Sequence, residues 1–259
     1  MCKAADYGEM MLMVIDSNVV FGTELEDNVD LSINRIISIM EEKKIDKALI
    51  TNNKCKFYDF IEGNNETASI VNRYSGMFFG MASFNLSQLI NVESEVRRSI
   101  TDLGLAGIRF FNTDSNFTSG WGGGIDSLSV HMVLELINGL NVPVFLEGGY
   151  SFKIIKGLAE EFPCIPFIAS GVGYGNMGEA ILAARDRENL YLEISTLDSM
   201  DGINVLVEFL GPDKIIFGTG MPYNSPSCEI LMVKTAGISE EDKQKIFSGN
   251  ILGILDRRK

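Results

Sequence analysis

Polar side chains able to do chemistry recur at the ends of short apolar runs in this sequence. A carboxylate in such a place can act as a general acid or base, and the forked guanidinium of an arginine suits a substrate carboxylate. We therefore predict two catalytic residues, Glu147 and Asp16. We predict as substrate-binding residues Arg109, Asn18, Asn112, Ser170, Glu193 and Thr219. Similar positions hold Asn85, Ser195 and Thr196.

Three of the charged residues also have a structural alternative. Glu147 can be a solvated or ion-paired carboxylate, and a pair with Arg109 is one such arrangement. Arg109 can instead point outward and pair with an acidic helix residue. Asp16 can serve only to orient the chain through hydrogen bonds. Because strand side chains alternate in direction, only a subset of these residues can point into one pocket.

Histidine and cysteine usage limits the chemistry further. The chain has one histidine, His131, which excludes a zinc site or an acid–base site that needs two imidazoles. His131 lies in a stretch with helical periodicity, 127–140, and we expect it to pack there or lie at the surface. The four cysteines are far apart, so neither a disulfide framework nor a thiolate metal site is predicted.

Eight short runs rich in β-branched or aromatic residues predict eight strands, with amphipathic helical stretches between them. Several of the runs are apolar on both faces, which is typical of parallel strands covered by helices. Eight such units in about 250 residues favour a single-domain (β/α)8 barrel over 1–259 rather than an open doubly wound sheet. The runs lie near 11–20, 47–51, 77–82, 106–111, 142–147, 166–170, 190–195 and 214–218.

The charge balance argues against two classes of partner. Lys and Arg number 22 against 35 Asp and Glu, a net charge of −13, which repels a phosphate backbone and an anionic membrane. The longest early apolar run, 10–15, is too short to span a bilayer and lacks the features of a signal peptide. We therefore expect a cytoplasmic protein that binds neither nucleic acid nor membrane.

Residues 173–178 match the G-x-G-x-x-G pattern of dinucleotide-binding turns, and the acidic Glu193 follows about twenty residues later. A dinucleotide-binding domain needs several further βα units after this turn, whereas one convincing strand remains after Ser195. We therefore interpret 173–178 as a glycine-rich loop of the barrel, with no cofactor.

Seven segments, in order along nearly the whole chain, resemble the amidohydrolase superfamily, in particular the branch related to aminocarboxymuconate-semialdehyde decarboxylase. They are 14–22, 104–110, 143–148, 162–173, 189–195, 217–222 and 238–255. The resemblance implies a barrel with its active site at the carboxyl ends of the strands. It also implies a small-molecule ligand, and because relatives are often dimers it leaves a homodimer as an open alternative.

The resemblance also implies where a catalytic metal would be bound, and the sequence departs from the family there. The strand-one acid is retained as Asp16. The five positions that carry metal ligands or the general base in the family hold Asn18, Val20, Glu147, Gly171 and Gly220. Zinc needs about four N, S or O ligands. We therefore expect no metal and no cofactor, and the family's metal-dependent mechanism cannot operate unchanged.

Two functions are consistent with these features of the sequence. The first is a metal-independent hydrolase of a small carboxylated ester, lactone or amide, with Glu147 or Asp16 as base, Arg109 as cation and a positioned water. The second is a catalytically inactive family member that binds a small ligand or a protein partner. Convergence of Glu147, Asp16 and Arg109 on one cavity would distinguish the two.

Overall fold

The computed structural model describes residues 12–23, 29–57, 59–86, 91–111, 124–125 and 127–258. Within these residues the strands pair in parallel, each with the next in the chain, in the order β1 to β8. The strands are β1 (Ile15–Phe21), β2 (Lys47–Asn52), β3 (Phe78–Ala82), β4 (Gly107–Phe110), β5 (Val144–Leu146), β6 (Phe167–Ala169), β7 (Leu190–Glu193) and β8 (Ile215–Ile216).

Helices alternate with these strands and cover their outer faces. They are α1 (Ile33–Lys43), α2 (Lys54–Phe57), α3 (Phe60–Arg73), α4 (Val92–Thr101), α5 (Leu128–Ile137), α6 (Phe152–Glu161), α7 (Met177–Ala184), α8 (Gly202–Leu210), α9 (Ser227–Thr235), α10 (Glu240–Gln244) and α11 (Asn250–Leu255). A π-helical turn, Lys245–Gly249, joins α10 to α11. None of the described helices is long and apolar enough to cross a membrane.

Hydrogen bonds join β1 to the segment that begins directly after β8. The backbone N–H of Ser17 donates to the carbonyl of Phe217 at 3.1 Å, and that of Val20 donates to the carbonyl of Met221 at 3.2 Å. The Ser17 hydroxyl adds a bond of 2.8 Å to the same Phe217 carbonyl. The eight strands therefore form a (β/α)8 barrel in one domain, as the sequence predicts.

Two hydrophobic clusters stabilise the barrel. The larger lies between the strands and the surrounding helices. The smaller fills the barrel interior and is continued by α11, so the last helix covers one end of the barrel. The smaller cluster contains Ile15, Leu49, Met81, Phe145, Ile168, Tyr191, Ile216, Ile251, Ile254 and Leu255. These apolar side chains come from positions before the ends of the strands. The end of the barrel opposite α11 is the carboxyl-terminal end of the strands, where the active sites of such barrels lie.

All the strands except β2 are shorter than the predicted runs, and the structure gives a physical reason at the starts of β1 and β8. The first begins at Ile15 rather than near residue 11, because the N–H of Val14 donates to the carboxylate of Asp46 at 2.7 Å instead of a strand partner. The eighth begins at Ile215, because Lys214 ends a 3-10 helical turn. The glycine-rich segment 173–178 leads from the loop after β6 into the first residues of α7, and within the described residues one strand, β8, follows β7.

The single histidine lies away from the strand ends. His131 is in α5, where Nδ1 is 3.1 Å from the Ser127 carbonyl oxygen and Nε2 is 3.2 Å from Glu161 Oε2. Its ring packs edge-on against Phe162. The position agrees with the expectation that His131 packs in this helix or lies at the surface, since its side chain is 26% exposed.

Candidate active site

Arg109 connects two sides of the barrel at its polar end. The side chain projects from the third residue of β4 and is 3% exposed. Nη1 donates to Asn18 Oδ1 at 2.8 Å, and Nη2 donates to Glu147 Oε1 at 2.9 Å. Glu147 directly follows β5 and is 28% exposed in its side chain. The guanidinium therefore joins β1 to the end of β5, with the acid of this ion pair on the solvent side.

Two aromatic rings hold the guanidinium of Arg109 in place. Its Cζ atom lies 4.8 Å from the ring centroid of Phe111 and 4.8 Å from that of Phe145. The hydroxyl of Tyr150 donates to the Phe111 carbonyl at 2.9 Å. The buried Nε of Arg109 has no hydrogen-bond partner among the described residues. A buried donor without a partner is costly, so this N–H is suited to an acceptor on a ligand.

Asn18 extends the network from Arg109 to β7. Its Nδ2 donates to Ser195 Oγ at 2.9 Å and to Glu193 Oε2 at 3.3 Å. Ser195 donates twice to Glu193, from its backbone N–H to Oε1 at 2.7 Å and from its hydroxyl to Oε2 at 2.8 Å. One connected chain of hydrogen bonds thus runs from Glu147 through Arg109 and Asn18 to Ser195 and Glu193.

The neighbouring strand leaves just enough room for Glu193. A Cβ atom at Gly218, which follows β8, would lie 2.1 Å from Glu193 Oε1. Glu193 is completely buried. Burial raises the pKa of Glu193 to about 8; the bonds from Ser195 and the charge of Arg109 oppose this rise, and the nearby Asp16 adds to it. Glu193 is therefore poised to gain or lose a proton near neutral pH.

Asp16 belongs to a different set of bonds. Its Oδ1 accepts the backbone N–H of Asn18 and that of Thr219, both at 3.0 Å, and its Oδ2 accepts the Thr219 hydroxyl. Burial raises the pKa of Asp16 to about 7, against the lowering effect of these bonds. The structure therefore brings Glu147 and Arg109 into contact and places Asp16 at the junction of β1 with the segment after β8.

The remaining predicted residues are divided between the network that contains Arg109 and the set of hydrogen bonds around Asp16. Asn18 and Glu193 are part of the network that contains Arg109, whereas Thr219 bonds to Asp16. Ser170 is buried after β6, and its backbone N–H donates to the Leu146 carbonyl at 3.0 Å. Asn112 lies outside the described residues.

Three residues that surround the network are absent from the predicted site: Phe111, Phe145 and Gly218. Ser195 is named in the sequence analysis only as a polar residue at a similar position, and its signal is the strand-end location just after β7. Nothing in the sequence indicates that two rings meet the guanidinium or that Glu193 needs a glycine beside it.

Comparison with known proteins identifies the family. The sequence profile described as Amidohydrolase matches residues 57–257, which is more than half of the chain. The chain belongs to the amidohydrolase family. No curated protein sequence matches this amidohydrolase-family protein.

Solved structures resemble this amidohydrolase-family protein over nearly its full length. 5-Carboxyvanillate decarboxylase LigW from Sphingomonas paucimobilis is 16% identical with a TM-score of 0.75, covering 95% of this chain and 99% of its own. 2,6-Dihydroxybenzoate decarboxylase from Rhizobium is 16% identical with a TM-score of 0.77, covering 96% and 100%. Dihydroxybenzoic acid decarboxylase from Polaromonas sp. JS666, with bound manganese and 2-nitroresorcinol, is 17% identical with a TM-score of 0.74, covering 96% and 98%. At this identity the likeness establishes the shared fold.

The residues at which the resemblance implies metal ligands make other contacts in this amidohydrolase-family protein. Asn18 and Glu147, at two of these positions, bind the Arg109 guanidinium. A Cβ atom at a third position, Gly171, would lie 2.7 Å from the Gly148 Cα, so no larger side chain fits there. Among the described residues, no group of three or more His, Cys, Asp or Glu side chains is arranged to hold a metal ion. The positive charge in this region is supplied by an arginine.

Proposed function

We propose that this protein binds a small carboxylated ester, lactone or amide at the polar end of its barrel and hydrolyses it without a metal ion. The observation that carries the proposal is the position of Arg109. Its guanidinium is buried against two rings, contacts Asn18 and Glu147, where the resemblance implies metal ligands, and keeps a buried N–H without a partner among the described residues.

The guanidinium has donors to spare for a ligand. Of its five N–H groups, Asn18 and Glu147 take one each. A planar guanidinium forms paired bonds with a carboxylate, and its low exposure strengthens each bond. Two of the solved relatives are named for carboxylated substrates, 5-carboxyvanillate and 2,6-dihydroxybenzoate. Both observations support a carboxylate as the group that Arg109 binds.

The two predicted catalytic carboxylates take different parts in this proposal. Glu147 is partly exposed beside Arg109, so it is placed to accept a hydrogen bond from the attacking water and make that water more nucleophilic. Arg109 stabilises the negative charge that develops on the substrate. Asp16 orients the backbone of Asn18 and Thr219, and so positions the Asn18 side chain that holds Arg109.

Ligand binding is tested by thermal shift with small carboxylates, lactones and sugar acids. A ligand at a hundred times its Kd should add about 2.7 kcal/mol to stability. Arg109→Met should abolish this gain. It should also lower the melting temperature of the free protein, because Asn18 Oδ1 is left buried without its donor and Glu147 without its cation, so each ligand shift is measured against the same variant without ligand. Arg97→Met is the matched control, since Arg97 is exposed on α4 and pairs with Glu93.

Turnover is then measured for each bound ester or lactone in the presence of a chelator. Hydrolysis that survives chelation supports the proposal. Hydrolysis that stops with the chelator and returns with manganese overturns it, as does unchanged ligand binding by Arg109→Met. Binding without any turnover favours the inactive, ligand-binding alternative.

A further inference from the structure

We propose that Ser195 is the nucleophile of this site and that Glu193 is the base that accepts its proton, so that the substrate's acyl group is transferred first to the protein. The inference rests on the proposed hydrolytic function and specifies how it proceeds. It is carried by hydrogen-bond geometry that joins Ser195, Glu193 and Asn18.

The directions of the side-chain bonds of Asn18 and Ser195 follow from Arg109. A guanidinium can only donate, so the atom of Asn18 that faces Arg109 at 2.8 Å must be the amide oxygen. The Asn18 amide nitrogen therefore faces Ser195, and because it can only donate, the Ser195 oxygen accepts from it at 2.9 Å. The Ser195 hydrogen is then free to point at Glu193 Oε2, 2.8 Å away.

This arrangement is that of an activated hydroxyl. A serine donating to a carboxylate at 2.8 Å is within the range required of a nucleophile and its base. The Glu193 carboxylate is itself fixed by the Ser195 backbone N–H at 2.7 Å, so the pair stays aligned. Glu193 is completely buried whereas Ser195 is 6% exposed, so Ser195 is the more accessible member of the pair.

In the acylation step, the proton that Ser195 loses is held by Glu193 and then passes to the leaving group. Ser195 Oγ forms a bond to the carbonyl carbon of the ester or lactone, and its proton passes to Glu193 Oε2. The carbonyl electron pair moves onto the oxygen, where the positive charge of Arg109 stabilises it. When this adduct collapses, the bond from the carbonyl carbon to the leaving oxygen breaks, and Glu193 returns the proton to that oxygen.

Hydrolysis of the acyl group repeats these steps with water. A water that donates a hydrogen bond to Glu147 attacks the acyl carbon, and Glu193 takes its proton. The bond from the acyl carbon to Ser195 Oγ then breaks, and Glu193 gives the proton to Oγ. The free serine and the carboxylic acid product are released without any oxidant, reductant or metal.

The test uses p-nitrophenyl acetate, which carries no carboxylate and therefore does not depend on Arg109 as the carboxylate-binding group. The full-length protein is mixed with the ester, quenched in acid, and analysed by intact mass and by peptide mapping. We expect one acetyl group per chain on the peptide that contains Ser195, and none in Ser195→Ala. Ser195→Cys should be acylated again. Ser225→Ala, at an exposed serine, should be acylated like the original protein.

The pH profile separates a catalytic pair from a structural one. Burial raises the pKa of Glu193 to about 8, and the charged groups that act on it are Asp16 on β1 and Arg109 on β4. Acylation should therefore accelerate up to about pH 8, and Glu193→Gln should remove this dependence and slow acylation by about 100-fold. A flat profile in the original protein would overturn the inference.

The outcomes distinguish the two proposals. Chelator-resistant hydrolysis of a carboxylated ester that persists in Ser195→Ala, with no acetyl adduct in the original protein, overturns the serine nucleophile and leaves the proposed function standing. Acetylation of Ser195 in a protein that hydrolyses no carboxylated ester supports the nucleophile and contradicts the proposed substrate class.

Discussion

Arg109 Nη1 lies 2.8 Å from Asn18 Oδ1, and this bond ties the fourth strand of the barrel to the first. Because the guanidinium can only donate, it fixes which end of the Asn18 amide faces Ser195 and Glu193. The same guanidinium is paired with Glu147 on its other side. One side chain thereby sets the charge balance at this end of the barrel and the direction of its hydrogen bonds.

The first prediction concerns metal content. Because the Arg109 guanidinium lies on Asn18 and Glu147, we expect the purified protein to retain no stoichiometric zinc or manganese after dialysis against a mild chelator. The melting temperature should be the same before and after chelation. Elemental analysis that finds about one zinc or manganese per chain after this dialysis would contradict the prediction.

The second prediction concerns the space beside Glu193. Gly218→Ala places a methyl group 2.1 Å from Glu193 Oε1, so Glu193 must move away from Ser195 and Asn18. We expect a loss of about 1–3 kcal/mol in the free energy of unfolding, measured by urea denaturation. The control is Gly157→Ala on α6, where nothing lies within 4 Å of the added Cβ and alanine should stabilise the helix by about 0.5–1 kcal/mol. Equal effects of the two substitutions would contradict the proposed steric reason.

The third prediction concerns the junction of the first strand with the last. Asp16→Ala removes the acceptor for the backbone N–H groups of Asn18 and Thr219 and leaves these donors buried. We expect a loss of about 1–3 kcal/mol in stability. Asp16→Asn should lose less, because an amide oxygen can accept the same N–H groups and its nitrogen can donate to the Thr219 hydroxyl. Asp30→Ala serves as the control, because Asp30 accepts one N–H at an exposed position; if it costs as much as Asp16→Ala, burial is not the cause.

The barrel could be predicted from the sequence because its signal is local and repeated. Each strand is an apolar run that can be recognised without its neighbours, and eight of them with helices between leave few alternative folds. The early start predicted for the first strand shows the limit of this approach. Whether Val14 joins the ladder depends on Asp46, which lies 2.7 Å away in space and 32 residues away in the chain.

The candidate site could be predicted only in part, for the same reason. Strand-end positions identified Arg109, Glu147, Asn18 and Glu193, and the structure places these four in one network. Two features of the site depend on packing between residues far apart in the chain. Glu193 is the buried carboxylate that accepts the Ser195 hydroxyl, and Asp16 accepts the hydroxyl of Thr219. Alternation along a single strand does not contain that information.

The last prediction concerns the dependence of stability on pH. Burial raises the pKa of Asp16 to about 7 and that of Glu193 to about 8, well above the values of these groups in an unfolded chain. Between the unfolded and the folded pKa values the folded protein holds more protons, so stability is full below the unfolded pKa and falls as the pH rises toward about 8. Each group contributes a slope of up to about 1.4 kcal/mol per pH unit. Glu193→Gln cannot ionise, so its unfolding free energy should fall less steeply than that of the original protein from about pH 5 to about pH 8. Urea denaturation across this range measures both slopes, and parallel curves would show that Glu193 is ionised in the folded protein throughout.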